Sequence, residues 1–144
     1  MAWSTPNTRA TGDLISAAIW NQDVVNNALA LSARGATMLL GNQYQVLQSG
    51  EIAITEVPAD ITITVINIWE FEGLSGSATI TLYKSSSLGG SWTSLQDCSL
   101  SSQASRSITG LSYSLNTGDW LKLEVSGTPT TVKRVAVALR ASQA

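Results

Sequence analysis

From Gly35 onward the chain alternates apolar and polar residues with period two, and turn residues interrupt the alternation roughly every eight to twelve positions. A segment written this way buries one face of a strand and leaves the other to solvent, so it folds as sheets packed face to face. Tyr44 and Val46 alternate ahead of a Ser49-Gly50 turn, and Ile52 and Ile54 follow it. Ile61, Ile63 and Val65 share one phase, whereas Ile66 and Ile68 lie on the other. That slip predicts a bulge near Val65-Asn67 or a run buried on both faces. Ala78, Ile80 and Leu82 alternate with Thr79, Thr81 and Tyr83, a polar loop spans Ser85 to Ser91, and Trp92 to Leu95 opens another strand. Short strands at 107–109 and 112–115 precede the turn Asn116-Thr117-Gly118-Asp119. Leu121, Leu123 and Val125 form a clear strand, Gly127-Thr128-Pro129 reads as a turn, and Val135, Val137 and Leu139 close the series. Roughly eight strands without helical crossovers predict a mainly β chain, an antiparallel β-sandwich of jelly-roll-like or Ig-like type.

The residues before Gly35 are of another kind. Thr5 to Gly12 is rich in Pro, Asn, Thr and Gly and shows no period, which predicts an extended arm. Ser16, or Asp13 in competition with it, can accept from a first-turn amide and so begin a helix. Ala17, Trp20, Val24, Ala28 and Leu31 then recur at helical spacing on one face, and Gly35 offers a left-handed stop after Arg34. An isolated amphipathic helix of this length has to bury its stripe, on its own sheet or on a neighbouring subunit. The organisation expected is therefore an anchoring or oligomerising arm and helix over 1–36 and a sandwich over 37–144.

Composition removes whole classes of chemistry. The chain has no histidine and one cysteine, Cys98, so Ser-His triads, Cys-His pairs, Cys/His zinc sites and internal disulfides are all excluded. Cys98 reads as a small apolar filler. Charged residues make up 12%, about half the usual share, and 20 Ser with 15 Thr take their place on the surface. Net charge is −2 and the longest basic cluster is Lys133-Arg134, which leaves no footprint for a phosphate backbone. The amino-terminal residues lack a signal-peptide core, and no run of about 18 apolar residues occurs. A soluble protein made in the cytoplasm, with no nucleic-acid or membrane partner, no metal and no cofactor, is the expectation.

The carboxylates are the remaining acid–base groups. Glu70 and Glu72 stand two apart and share a strand face, the spacing a glycosidase pair could use; a solvated face or an intersubunit salt bridge is the structural alternative, and no catalytic residue is assigned. Asp13, Asp23 and Asp60 read as turn or cap residues. Five tryptophans against one phenylalanine suggest stacking on sugar C–H groups, for which Trp92, after the Gly89-Gly90 turn, and Trp120, on the polar phase of its strand, are the candidates. Their alternative is half-burial at a strand end or subunit contact, and Trp69 is expected in the core. Arg134 and Arg140 share a face with Ala136 and Ala138, which suits either a subunit contact or an ordinary outer face.

The run Thr11-Gly12-Asp13-Leu14-Ile15-Ser16-Ala17-Ala18-Ile19-Trp20-Asn21-Gln22-Asp23-Val24-Val25-Asn26-Asn27, preceded by Trp3 and Pro6, resembles an opening segment of tailed-bacteriophage virion proteins. In those, Thr-Gly-Asp/Glu-Leu-hydrophobic-Thr/Ser-Ala-Ala leads into Trp/Met-Asn and then Asp-hydrophobic-x-Asn. The resemblance implies a virion structural protein, of capsid decoration (cement) or of head- or tail-fibre type. As a decoration protein it would stabilise the phage head by multivalent contacts to the major capsid protein or another virion protein, as a homo-oligomer, by analogy a trimer. Trp3, Trp20, Val24 and Leu31 would make the anchoring contacts, with Arg134 and Arg140 as further candidates. The alternative is a receptor-binding or carbohydrate-binding β-sandwich that uses Trp92 and Trp120.

Overall fold

The structure is a computed structural model and describes residues 35–42, 44–72, 76–101 and 105–143, with Gly35, Glu72 and Gln143 described by backbone alone. The expected arm and helix, and with them Trp3, Trp20, Val24 and Leu31, lie outside the described residues. Nine strands follow in order: β1 Gly35–Gly41, β2 Ile52–Glu56, β3 Ile61–Glu72, β4 Ser77–Ser85, β5 Thr93–Ser101, β6 Ser105–Ile108, β7 Tyr113–Leu115, β8 Trp120–Thr130 and β9 Arg134–Gln143. They form two antiparallel sheets. Sheet A has the order β1-β9-β3-β6, with β7 also paired to β3; sheet B has the order β2-β8-β4-β5.

Each sheet contributes one apolar face to the core. Met38, Leu40, Ile61, Ile63, Ile66, Ile68, Val135, Val137 and Leu139 project from sheet A, and Ile80, Leu82, Cys98, Leu100, Leu121, Leu123 and Val125 from sheet B. Fully burying side chains of this size is worth about 1.5–3 kcal/mol each, so the alternation read from the sequence is also what holds the layers together. Cys98 lies in this layer, and burial pushes its thiol up to about 12.

Four register shifts interrupt the ladders of the described strands, and three of them bear on how the apolar phase stays directed inward. On β3 the register against β9 jumps between Ile63 and Val65, so Thr64 is the extra residue and Ile66 and Ile68 return to the core side. The same jump turns Trp69 outward: it is 41% exposed, not packed in the core as the sequence suggested. On β5 the register against β4 shifts at Leu95, which moves Ser94 to the outer face opposite Tyr83. On β8 residues 127–129 bulge out opposite Ala78, with Gly127 at φ +70. Gly127-Thr128-Pro129 is thus a kink inside one long strand; the chain reverses after it, at Thr131 and Val132. Two strand assignments also change. The segment Gly35–Gly41, GATMLLG, is a strand although it barely alternates, and Tyr44 to Val46 is not one.

Candidate functional site

The outer face of sheet B gathers the aromatic and charged side chains that the alternation leaves out of the core. Trp120, Lys122 and Glu124 follow one another on the outward phase of β8, beside Tyr83 and Thr81 of β4 and Ile54 and Ile52 of β2. Trp120 pairs with Glu56 on one side and Ser85 on the other. The Leu95 bulge places Trp92, two residues before Ser94, on the same side. The Lys122 ammonium is bracketed by two rings, 4.5 Å from the Tyr83 centroid and 5.1 Å from that of Trp92, and reaches Glu124 Oε2 at 2.6 Å. Cation–ring contacts of this kind hold the rings upright and fix the stem of the lysine against them. Farther along the face, Thr81 donates to Asp97 Oδ1 at 2.7 Å. Trp92, Tyr83 and Trp120 are all half-buried.

Two braces hold the end of the sandwich where Trp92 and Trp120 sit. In the β4–β5 loop Ser85 donates to the Ser87 carbonyl at 2.7 Å, and the Gly90 amide donates to the same oxygen at 3.1 Å. Below Trp120, buried Asp119 accepts from the Lys84 ammonium at 2.8 Å and from the Asn116 amide at 2.7 Å. Lys84 also donates to the Ser114 carbonyl of β7, so it ties sheet B to sheet A. Gly118, at φ +85, makes the turn, and Asp60 accepts from the Thr117 amide and hydroxyl. Asp60 is therefore the turn residue the sequence indicated, held below its ordinary carboxyl value by the Thr117 amide first and the hydroxyl second.

The sequence candidates separate into distinct places. Trp92 and Trp120 come together on sheet B. Arg134 and Arg140 lie on the far side of the molecule, on the outer phase of β9, with the Arg134 guanidinium 4.8 Å from the Phe71 ring. A register shift lies between Glu70 and Glu72, so the regular two-residue spacing along β3 that the sequence suggested is interrupted there. Glu70 points into the core opposite Val135, is 5% exposed, and neither of its carboxyl oxygens has a hydrogen-bond partner. The solvated face expected for it is thus overturned: burial holds its carboxyl above the ordinary value. Among the described residues no cluster of three or more His, Cys, Asp or Glu converges as a metal site would need. A shallow depression of about 260 Å³ between Leu47–Ser49 and Gly127–Pro129 presents no titratable side chain.

Glu70 gives a direct prediction. A carboxyl whose folded value is raised stabilises the fold while protonated, and that contribution falls as pH rises above its unfolded value near 4.5. Glu70→Gln removes the ionisation while leaving a buried polar group of the same shape, and it should raise stability at pH 7. At pH 4 the gain should vanish. Thermal melts of both proteins at the two pH values check this, and an equal shift at both would refute it.

Tyr83 and Lys122 belong to the sheet B face, though neither stands out in the sequence. The signal was present in the phase: Tyr83 opposes Leu82, and Lys122 shares its phase with Trp120. Pairing β4 beside β8 is what brings the two phases together.

No protein-family model matches the chain, and no curated protein matches its sequence. Solved structures do resemble its fold. A truncated AlyQ with CBM32 and alginate lyase domains superposes with TM-score 0.50 at 13% identity, over 76% of this chain and 27% of that one. The CBM32 of AlyQ in complex with 4,5-unsaturated mannuronic acid gives 0.49 at 14% identity, over 72% and 76%. The Eiger TNF from S. frugiperda gives 0.40 at 11% identity, over 77% and 95%. At 13% identity the likeness to the truncated AlyQ concerns the fold alone.

Proposed function

We propose that the protein is a non-catalytic binding module that recognises carbohydrate on the outer face of sheet B. The observation that carries this reading is the placement of Trp92, Tyr83 and Trp120 around Lys122 on one solvent-facing sheet. Flat rings accept the apolar C–H face of a sugar, while Lys122 and Glu124 beside them exchange hydrogen bonds with its hydroxyls. A sheet holds such groups rigidly, so little ordering entropy is lost on binding. Support of a weaker kind comes from the shared architecture with a chain that contains a CBM32 domain.

The sandwich itself is of jelly-roll type in this reading. Its strand order, β1-β9-β3-β6 over β2-β8-β4-β5, supports that choice because β1 and β2 lie in opposite sheets, whereas an immunoglobulin domain keeps its first two strands together.

The test is a glycan array with the intact protein, followed by titration of the best ligand against Trp92→Ala and Trp120→Ala. Each substitution should weaken binding about tenfold or more, as truncating an aromatic anchor does. Unaltered affinity in both, or no glycan bound at all, removes this reading.

A virion structural role stands as the second reading, favoured by the segment from Thr11 to Asn27. A receptor-binding fibre would combine it with the sugar site; a cement protein would bind the capsid and no sugar. Electron microscopy of purified particles separates these, because many copies per head mean decoration and a few per particle mean a fibre.

A further inference from the structure

The outer face of sheet A carries the largest concentration of exposed apolar side chains in the described residues. Leu39 of β1 and Trp69 of β3 both pair with Ala136 of β9, so they stand in one row across three strands. Phe71 lies two residues beyond Trp69 on the same phase, and Thr37, Ala138 and Asn67 form the neighbouring row. Leu39 is 61% exposed and Phe71 50%. Arg134 and Arg140 are the charged residues of this phase on β9, and Arg134 is laid over Phe71. Aromatic residues and arginine with few other charges are the composition of an interface centre, and exposed apolar patches on a soluble chain mark contact sites.

We infer that this face is where a second copy of the chain docks. The platform reaches the size at which specific contacts begin. Its strands β1, β9, β3 and β6 hold 7, 10, 12 and 4 residues, which at about 4.8 Å between strands and about 3.3 Å per residue cover on the order of 500 Å². Two copies then bury about 1,000 Å² together, the lower bound of a specific interface. It is also self-complementary, since bulky Leu39, Trp69 and Phe71 stand beside the small, accessible Ala138 and Thr37, while Ala136, paired with both Leu39 and Trp69, is already buried. In an isologous contact the large residues of one copy meet the small ones of the other. A net charge of only −2 sets little repulsion against association.

The chain's own amino-terminal segment is the competing occupant, and a face it filled would leave the protein monomeric at every concentration. This inference is independent of the sugar reading, which concerns the opposite sheet.

Sedimentation velocity of the full chain from about 1 to 100 µM tests it, because an assembly stabilised by mass action shifts with concentration. The wild type should associate. Trp69→Lys and Leu39→Lys should each weaken association at least tenfold, and Leu88→Lys, an exposed loop residue away from the face, should not. Leu39 lies on an edge strand and is the more exposed of the two, so it keeps the test valid if the Trp69 variant folds poorly. A wild type that stays monomeric throughout, or lysine variants that associate as tightly as the wild type, overturns the inference.

Discussion

Replacing Asp119 with alanine should destabilise the fold by about 2–4 kcal/mol, a roughly 30- to 700-fold loss in the folding equilibrium. The side chain is buried and satisfies two donors at once, the Lys84 ammonium and the Asn116 amide. Its removal leaves the lysine half-buried without its counter-ion and the amide without an acceptor, and each loss adds to the other. The turn it closes also carries long-range ties, since the Val57 amide donates to the Asp119 carbonyl and the Gly118 amide to the Val57 carbonyl. Loosening it therefore frees the β2–β3 connection as well as the start of β8, where Trp120 sits. Urea unfolding should show a lower midpoint with an unchanged slope. Asp119→Asn, which keeps an oxygen for Asn116 but no charge for Lys84, should fall between alanine and wild type. The pH dependence follows from the same contacts. Burial acts to raise the Asp119 carboxyl, but Lys84 and Asn116 together outweigh it and hold it below the ordinary 3.8. Its contribution is complete above that value and is lost as pH falls through the lower folded one. The gap between Asp119→Ala and wild type should accordingly narrow in strong acid; a gap of equal size at pH 7 and well below pH 3 would mean the carboxylate is not its source.

The sandwich was legible in the sequence because strand burial is a local, period-two property. Val135, Val137 and Leu139, or Leu121, Leu123 and Val125, need no knowledge of their neighbours to be assigned inward. What stayed hidden depends on shifts of a single residue and on pairings between distant segments. The slip near Val65 is visible in the sequence and carries a consequence for Trp69: once Ile66 and Ile68 face inward, Trp69 and Phe71 face out. The general tendency of tryptophan to be buried pointed the wrong way. β1 escaped because Met38, Leu39 and Leu40 are consecutive, and a continuous apolar run carries no phase. The sheet B site was half-legible. Trp92 and Trp120 were singled out by composition and phase, but Tyr83 and Lys122 join them only through the placement of β8 between β2 and β4, segments far apart in sequence.

Wild-type protein should bridge particles coated with the proposed sugar ligand and the Trp69→Lys protein should not, while both bind one soluble saccharide with the same affinity. The expectation joins the two proposed faces, and the geometry of the sandwich is what joins them. Sheets A and B pack back to back with about 10 Å between them, so two copies that meet through the outer face of sheet A leave their outer faces of sheet B pointing in opposite directions. Such a pair offers its two Trp92, Tyr83 and Trp120 surfaces to two different bodies and cannot lay both on one flat layer, where avidity would need simultaneous engagement. Trp69 is on the opposite sheet from those rings, so its replacement acts on copy number and not on the sugar contact. Calorimetry with a soluble fragment and light scattering from glycan-coated beads separate the two effects. A loss of affinity in the calorimetry would mean that Trp69 supports the sugar face directly. Equal bridging by both proteins would mean that the copies do not act together.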